Sequence, residues 1–239
     1  MKRFRMLFRI IQTVLLAPVL GIISIDSPSE FSKQLQQIKN LGLKGLSLSS
    51  SYNGRYLDDE MFFPVYEFAA KEKFPIHVHP QIIGPIGEER VKDPLLTPVL
   101  EYMFDVSICI GKMMMSGIFD KFKNVIFIFA HYGGVIPFVK ERFDNTYQML
   151  RGRNFVKDIG KKPSEFFANL YFETSGSQSA AALACALEVA SPEHILFGSD
   201  YPANQHIIAS IDVVKKSRLS TKEKEAILFK NAKKFFLEK

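Results

Sequence analysis

Three side chains in this sequence stand where α/β proteins commonly do chemistry. His79 closes the run Pro75-Ile76-His77-Val78-His79. His131 follows the apolar run Val125-Ile126-Phe127-Ile128-Phe129 and precedes Gly133-Gly134. Asp200 closes Ile195-Leu196-Phe197-Gly198-Ser199-Asp200. Each run is short and rich in β-branched or aromatic residues, the pattern of a strand buried on both faces. Residues at the carboxyl ends of parallel strands share one face of a sheet or barrel, so these three converge if their strands are parallel neighbours. Two imidazoles and a carboxylate suit a divalent first-row metal such as zinc or manganese. A metal held with an open position polarises a substrate oxygen or lowers the pKa of bound water. A plainer reading stands beside this one: a lone histidine in an apolar strand can be a satisfied core residue, and Asp-Tyr-Pro is ordinary turn chemistry. Three such residues at one topological position favour the site, because packing alone does not require them there. His77 alternates onto the same face as His79 and reads as a satisfied interior group. His194 lies at the other end of its strand and His206 opens a helix, so both read as structural or exposed.

The elements that must position these residues alternate. Strands are expected at 19–25, 45–49, 75–79, 125–131, 170–174 and 195–200. Helices are expected at 28–41, 61–73, 98–115, 136–150, 180–190, 204–216 and from 220 onward. Ser27-Pro28-Ser29-Glu30 and Ser220-Thr221-Lys222-Glu223 have the spacing of capping boxes. Residues 49–59 read as polar loop, 81–97 as a long insertion of the kind that forms lids or pocket walls, and 151–163 as a basic loop. The strand–helix rhythm with short connections is that of parallel βα units. Gly133-Gly134 is expected to turn the backbone sharply and leave room beside the His131 imidazole.

At 239 residues with 47% hydrophobic content, the chain is long and apolar enough for one α/β-barrel domain, and disorder is excluded. The net charge of +6 is spread out, the C-terminal lysines fall at helical spacing, and no nucleic-acid motif is present, which argues against a nucleic-acid partner. Cys109 and Cys185 lie in apolar surroundings without CxxC spacing and read as buried free thiols of a reducing, cytoplasmic compartment. Residues 1–9 are basic and 10–25 largely apolar, as in a signal peptide or anchor. The apolar stretch is short beside the roughly 20 residues a spanning helix needs, and Gln12, Thr13 and Pro18 interrupt it. The expectation is a basic and apolar segment over 1–17, one domain over 18–239, and no membrane partner.

The combination of Phe74-Pro75-Ile76-His77-Val78-His79-Pro80, Ala130-His131-Tyr132-Gly133-Gly134-Val135-Ile136-Pro137 with Glu141-Arg142-Phe143-Asp144, and Ile195-Leu196-Phe197-Gly198-Ser199-Asp200-Tyr201-Pro202 resembles the amidohydrolase-related family. That family includes the aminocarboxymuconate-semialdehyde and γ-resorcylate decarboxylases. Gly42-Leu43-Lys44-Gly45, Asn53 to Asp58, and Asn231-Ala232 with Phe235 extend the resemblance over residues 19–235. It implies a TIM-like (β/α)8 barrel of the metal-dependent hydrolase type that decarboxylates or hydrolyses small, often aromatic, carboxylated substrates. By position it implies that His79 and Asp200 bind one divalent metal, Zn2+ or alternatively Mn2+. His131 is implied as the acid–base histidine together with Asp200, and Arg142 and Arg55 as substrate-binding groups. Some members place the arginine across a dimer interface, so a homodimer is part of the expectation.

One departure from the pattern is plain. Members open with a strand bearing His-x-His or an acidic variant, and no such motif precedes residue 18 here. The barrel is therefore expected to be incomplete at its N-terminal side. Three functions stay open on the sequence: a carboxy-lyase, a hydrolase of C–O or C–N bonds that is metal-dependent or lactonase-like with His131 and Asp200 acting directly, and a shortened relic that only binds a small acid.

Overall fold

Alternation along each strand decides which side chains meet the helices and which face the opposite, concave side. The structure, a computed structural model, describes residues 20–82, 84 and 93–238. The segment 1–17, Val19 and most of the insertion expected after Pro80 lie outside the described residues. Strand β1 (Leu46–Ser49) leads into a small antiparallel hairpin of β2 (Ser51–Tyr52) and β3 (Arg55–Tyr56). Then follow β4 (Ile76–His79), β5 (Phe127–Phe129), β6 (Tyr171–Glu173) and β7 (Ile195–Leu196). The main sheet is parallel and runs β1-β4-β5-β6-β7, in register Ser47↔His77↔Ile128↔Tyr171. Among the described residues it is an open arc, not a closed barrel.

Leu46, Leu48, Ile76, Val78, Phe127, Phe129, Phe172 and Ile195 turn outward into one large core with the helices. Tyr66 and Leu35, from helices Phe63–Glu72 and Phe31–Asn40, and Ile110 from Tyr102–Ser116 fill that core. The alternate residues Ser47, Ser49, His77, His79 and Glu173 face inward on a cleft. Ile128, Leu196 and Phe235 form a small separate apolar cluster, with Phe235 supplied by the closing helix Asn231–Phe236. Strands covered on both faces explain the near-continuous apolar runs in the sequence.

Several expected elements change. The strand over 19–25 reduces, in its described part, to a bridge between Gly21 and Leu46. Past Gly21 the chain leaves the sheet, because the Ser24 N–H donates to Gln34 Oε1 at 2.7 Å and Asp26 folds back on the Ser24 hydroxyl. The box at Ser27 does not close: Ser27 makes no side-chain cap, and Pro28–Glu30 winds as a 3-10 turn with the Glu30 N–H on the Ser27 carbonyl. The Ser220/Glu223 box does form, in both directions. The loop 49–59 contains the β2–β3 hairpin, turned at Asn53-Gly54, where both residues take positive φ; an Asn-Gly pair favours that turn. The strand over 195–200 stops at Leu196, since the Phe197 N–H bonds the Ile227 carbonyl at 2.8 Å instead of a strand neighbour. Likewise the strand over 125–131 narrows to Phe127–Phe129. Cys109 is buried and Cys185 only partly so, and both are free thiols. No helix among the described residues is long and apolar enough to cross a membrane.

Gly134 is where the turn after β5 needs a glycine. Its φ is +70°, and a Cβ there would fall 2.2 Å from the Met103 carbonyl oxygen. The room is thus taken by the helix Tyr102–Ser116, not by the imidazole as the sequence suggests.

Asp105 on that helix is fully buried and ties three loop segments together. It accepts from the Ser50 and Ser51 hydroxyls, from the Tyr56 phenol at 2.9 Å and from the Gln81 N–H at 3.3 Å. Burial and the Asp105 charge raise the Tyr56 phenol well above its ordinary pKa, so it remains a donor. Removing the carboxylate would strand several buried donors, at a cost of about 3 kcal/mol. Asp105→Ala is therefore expected to lower the unfolding free energy by that amount, read as a lower urea midpoint at an unchanged slope. A midpoint within experimental error of wild type would refute the clamp.

Candidate metal and catalytic site

His79 is the last residue of β4 and points into a cleft of about 830 Å³, within the size range of small-molecule sites. Its Nδ1 lies 2.9 Å from the Pro80 carbonyl. A carbonyl only accepts, so Nδ1 carries the proton and Nε2 keeps its lone pair. That Nε2 is 3.8 Å from Asp200 Oδ1. Burial, with His131 and His77 close by, lowers the His79 pKa against the opposing pull of the Pro80 carbonyl and Asp200, which keeps the ring neutral. A neutral imidazole with its far nitrogen bonded is how a histidine metal ligand is usually held.

His131 and Asp200 reach the same place from turns beyond their strands, and both have positive φ, 55° and 60°. Tyr132 follows with φ 56°. Non-glycine residues in this region cost on the order of 1 kcal/mol or more each, and such strain gathers at functional sites. The His131 and His79 rings meet edge to face with centroids 5.2 Å apart. One ligand atom from each of His79, His131 and Asp200 lies within 4.8 Å of the others. Two imidazoles and a carboxylate at this spacing fit a divalent first-row cation.

Behind His131 lies Glu173, the last residue of β6 and almost fully buried. Its Oε1 accepts the His131 backbone N–H at 3.1 Å and its Oε2 the Ser175 N–H at 2.6 Å. His77 Nε2 is 3.9 Å away. Burial alone would raise this carboxyl, but His77, His131 and the Ser175 hydroxyl outweigh it and bring the pKa down to about 2. His77 is thus an interior group facing a buried carboxylate, as its alternation suggested. The sequence reading missed Glu173 and Ser175, although period-two counting along Tyr171-Phe172-Glu173-Thr174-Ser175 places both on the cleft face.

The other named residues lie elsewhere. Arg55 is exposed on the β2–β3 hairpin and pairs with Asp59 at 3.0 Å. Arg142 is exposed on helix Ile136–Gly152. Neither lines the cleft in this chain. His194 packs on Tyr171 with ring centroids 4.5 Å apart and contacts the Ser191 hydroxyl at 3.0 Å. His206 is exposed at the start of helix Ile207–Lys216.

Parallel βα units that gather two histidines and an aspartate at their carboxyl ends define a TIM-type α/β protein with a set of side chains that could hold a metal ion. Residues 17–237 match the amidohydrolase family Amidohydro_2, and the chain belongs to that family. It is 25% identical over 189 residues to 2-amino-3-carboxymuconate-6-semialdehyde decarboxylase of Dictyostelium discoideum, an alignment covering 77% of this chain and 50% of that protein. Among solved structures, 5-carboxyvanillate decarboxylase of Sphingomonas paucimobilis is 26% identical with a TM-score of 0.85, covering 97% of this chain and 70% of that one. The 5-carboxyvanillate decarboxylase of Novosphingobium aromaticivorans, crystallised with manganese and 4-hydroxy-3-methoxy-5-nitrobenzoic acid, shares the fold at 20% identity. Its TM-score is 0.82, over 98% of this chain and 69% of that one. The chain thus spans about half the length of the first of these relatives.

The Glu173 environment sets an acid response. Its folded pKa of about 2 lies below the ordinary 4.5, so its contribution is complete above pH 4.5 and is lost as pH falls toward 2. At 1.36 kcal/mol per unit this is about 3 kcal/mol. Glu173→Gln is expected to lower the urea midpoint at pH 7 and to flatten its fall between pH 5 and pH 3. A variant whose profile stays parallel to wild type would contradict the assignment.

Proposed function

We propose that this chain carries the site of a metal-dependent carboxy-lyase that removes carbon dioxide from a small aromatic acid. The convergence of His79, His131 and Asp200 at the cleft, in a member of a family with decarboxylase relatives, carries this reading. His79 and Asp200 would hold the metal, with His131 beside it. The Novosphingobium relative supports manganese, and the two imidazoles suit zinc equally well. A divalent cation there supplies positive charge that polarises the acid's oxygens.

The chain's own residues do the rest. Ile128, Leu196, Phe197 and Phe236 give the cleft apolar walls that fit an aromatic ring and exclude water, while Ser47, Ser49 and Gln81 offer polar contacts to ring substituents. Decarboxylation puts a hydrogen on the carbon that loses the carboxylate. In this reading His131 and Asp200 deliver that proton, a task worth about 100-fold or more in rate. Arg142 stands on the surface, so it would meet a substrate carboxylate only from a neighbouring copy, which makes a homodimer part of the proposal. Arg55, on the hairpin beyond β1 and paired with Asp59, is the second arginine proposed to meet the substrate carboxylate. The two free thiols support a reducing, cytoplasmic setting.

Elemental analysis of the purified chain, followed by a carbon dioxide release screen over hydroxybenzoic and carboxymuconic acids, tests this. About one manganese or zinc per chain is expected, lost in His79→Ala and Asp200→Ala, with turnover reduced about 100-fold or more in His131→Ala. A metal-loaded chain that hydrolyses lactones or amides but releases no carbon dioxide would move the assignment to a hydrolase.

A further inference from the structure

Ser175 Oγ sits between two partners, Glu173 Oε1 at 2.5 Å and His131 Nδ1 at 2.8 Å. A hydroxyl has one hydrogen to give and lone pairs to receive with. Glu173 is surrounded by donors: the His131 N–H, the Ser175 N–H and the Ser175 hydroxyl all converge on its two oxygens. A carboxylate in that setting only accepts, so the Ser175 hydrogen goes to Glu173. The hydroxyl oxygen is then left to accept, and the hydrogen between it and His131 belongs to Nδ1.

We propose that Glu173 and Ser175 are positioning residues that hold His131 in one tautomer, protonated at Nδ1 and with its lone pair on Nε2. This inference deepens the functional reading above and rests on His131 being a working group of the site.

The packing supports it independently. A Cβ on Gly176 would lie 2.6 Å from His131 Nδ1, and one on Gly198 would lie 1.9 Å from Glu173 Oε2. The pair therefore occupies space that two glycines leave open. Glu173 also takes the backbone N–H of His131, whose φ is 55°. One carboxylate thus fixes the left-handed backbone directly and the ring through Ser175. His79 is set the same way by a different acceptor, the Pro80 carbonyl. Both rings then offer Nε2, the form needed to bind a cation or take up a proton. No serine–glutamate pair of this kind was visible from the motifs around His131 itself, because its members come from the next strand.

The test is nitrogen-15 NMR of the histidine side chains in the metal-free full chain at about pH 8, where free imidazole is neutral. Two-bond proton–nitrogen correlations distinguish the two tautomers. Wild-type His131 is expected in the Nδ1–H form. Ser175→Ala is expected to lose that preference and gain Nε2–H character, and Ser175→Thr, which keeps the hydroxyl, to restore it. An Nε2–H form in wild type overturns the proposal by itself, even if no variant folds. An unchanged Nδ1–H form in Ser175→Ala overturns it as well. A fixed Nδ1–H tautomer in a chain that binds no manganese and releases no carbon dioxide supports this positioning while retiring the decarboxylase reading.

Discussion

The buried carboxylate of Glu173 is the interaction on which the site depends. An ionised group so deep in a protein is costly unless donors surround it, and here two backbone N–H groups, one hydroxyl and the nearby His77 do so. The two N–H groups and the hydroxyl belong to the turns beyond β5 and β6. Satisfying the charge therefore also decides how both turns leave the sheet. His131 can sit at a positive φ because the Glu173 bond holds its N–H there. The cost of the strained turn and the cost of the buried charge offset each other at one point.

The Asp105 cluster does for the first strands what Glu173 does for the middle of the sheet. It draws Ser50, beyond β1, and Gln81, beyond β4, to the same carboxylate. Ser50 also donates its N–H to the His79 carbonyl at 2.8 Å. His79 is thereby framed by a backbone bond on one side and by its own Pro80 contact on the other. Both carboxylates lie under the carboxyl ends of the strands, where loops would otherwise be held only by their connections.

Much of this was legible in the sequence. The apolar runs marked β4, β5, β6 and β7, and the placing of His79, His131 and Asp200 at their ends marked the cleft. The fold of the described arc followed from parallel βα rhythm, and the resemblance to the amidohydrolase-related family agrees with the family match over residues 17–237. Strand lengths were less legible, because a residue such as Phe197 continues the apolar run while its N–H leaves the ladder for the Ile227 carbonyl. The Ser27 box failed although its spacing was correct, since a local motif cannot tell whether Pro28 opens a 3-10 turn or an α-helix. Glu173 and Ser175 escaped notice because a charged residue at the end of Leu170-Tyr171-Phe172 reads as the solvent edge of a strand. Only the fold reveals that this edge lies under His131.

The strand order of the sheet is the order of the chain, and this has a kinetic consequence. Each new strand pairs with the one made just before it, so no ladder among β1 and β4 to β7 waits for a distant partner. A sheet built from successive neighbours can be extended from one end as the chain is made. The two histidines belong to early additions, and Asp200 arrives only with β7. During synthesis His79 and His131 are therefore made before the carboxylate that completes the set. Any cation that the three side chains hold would gain its carboxylate contact last.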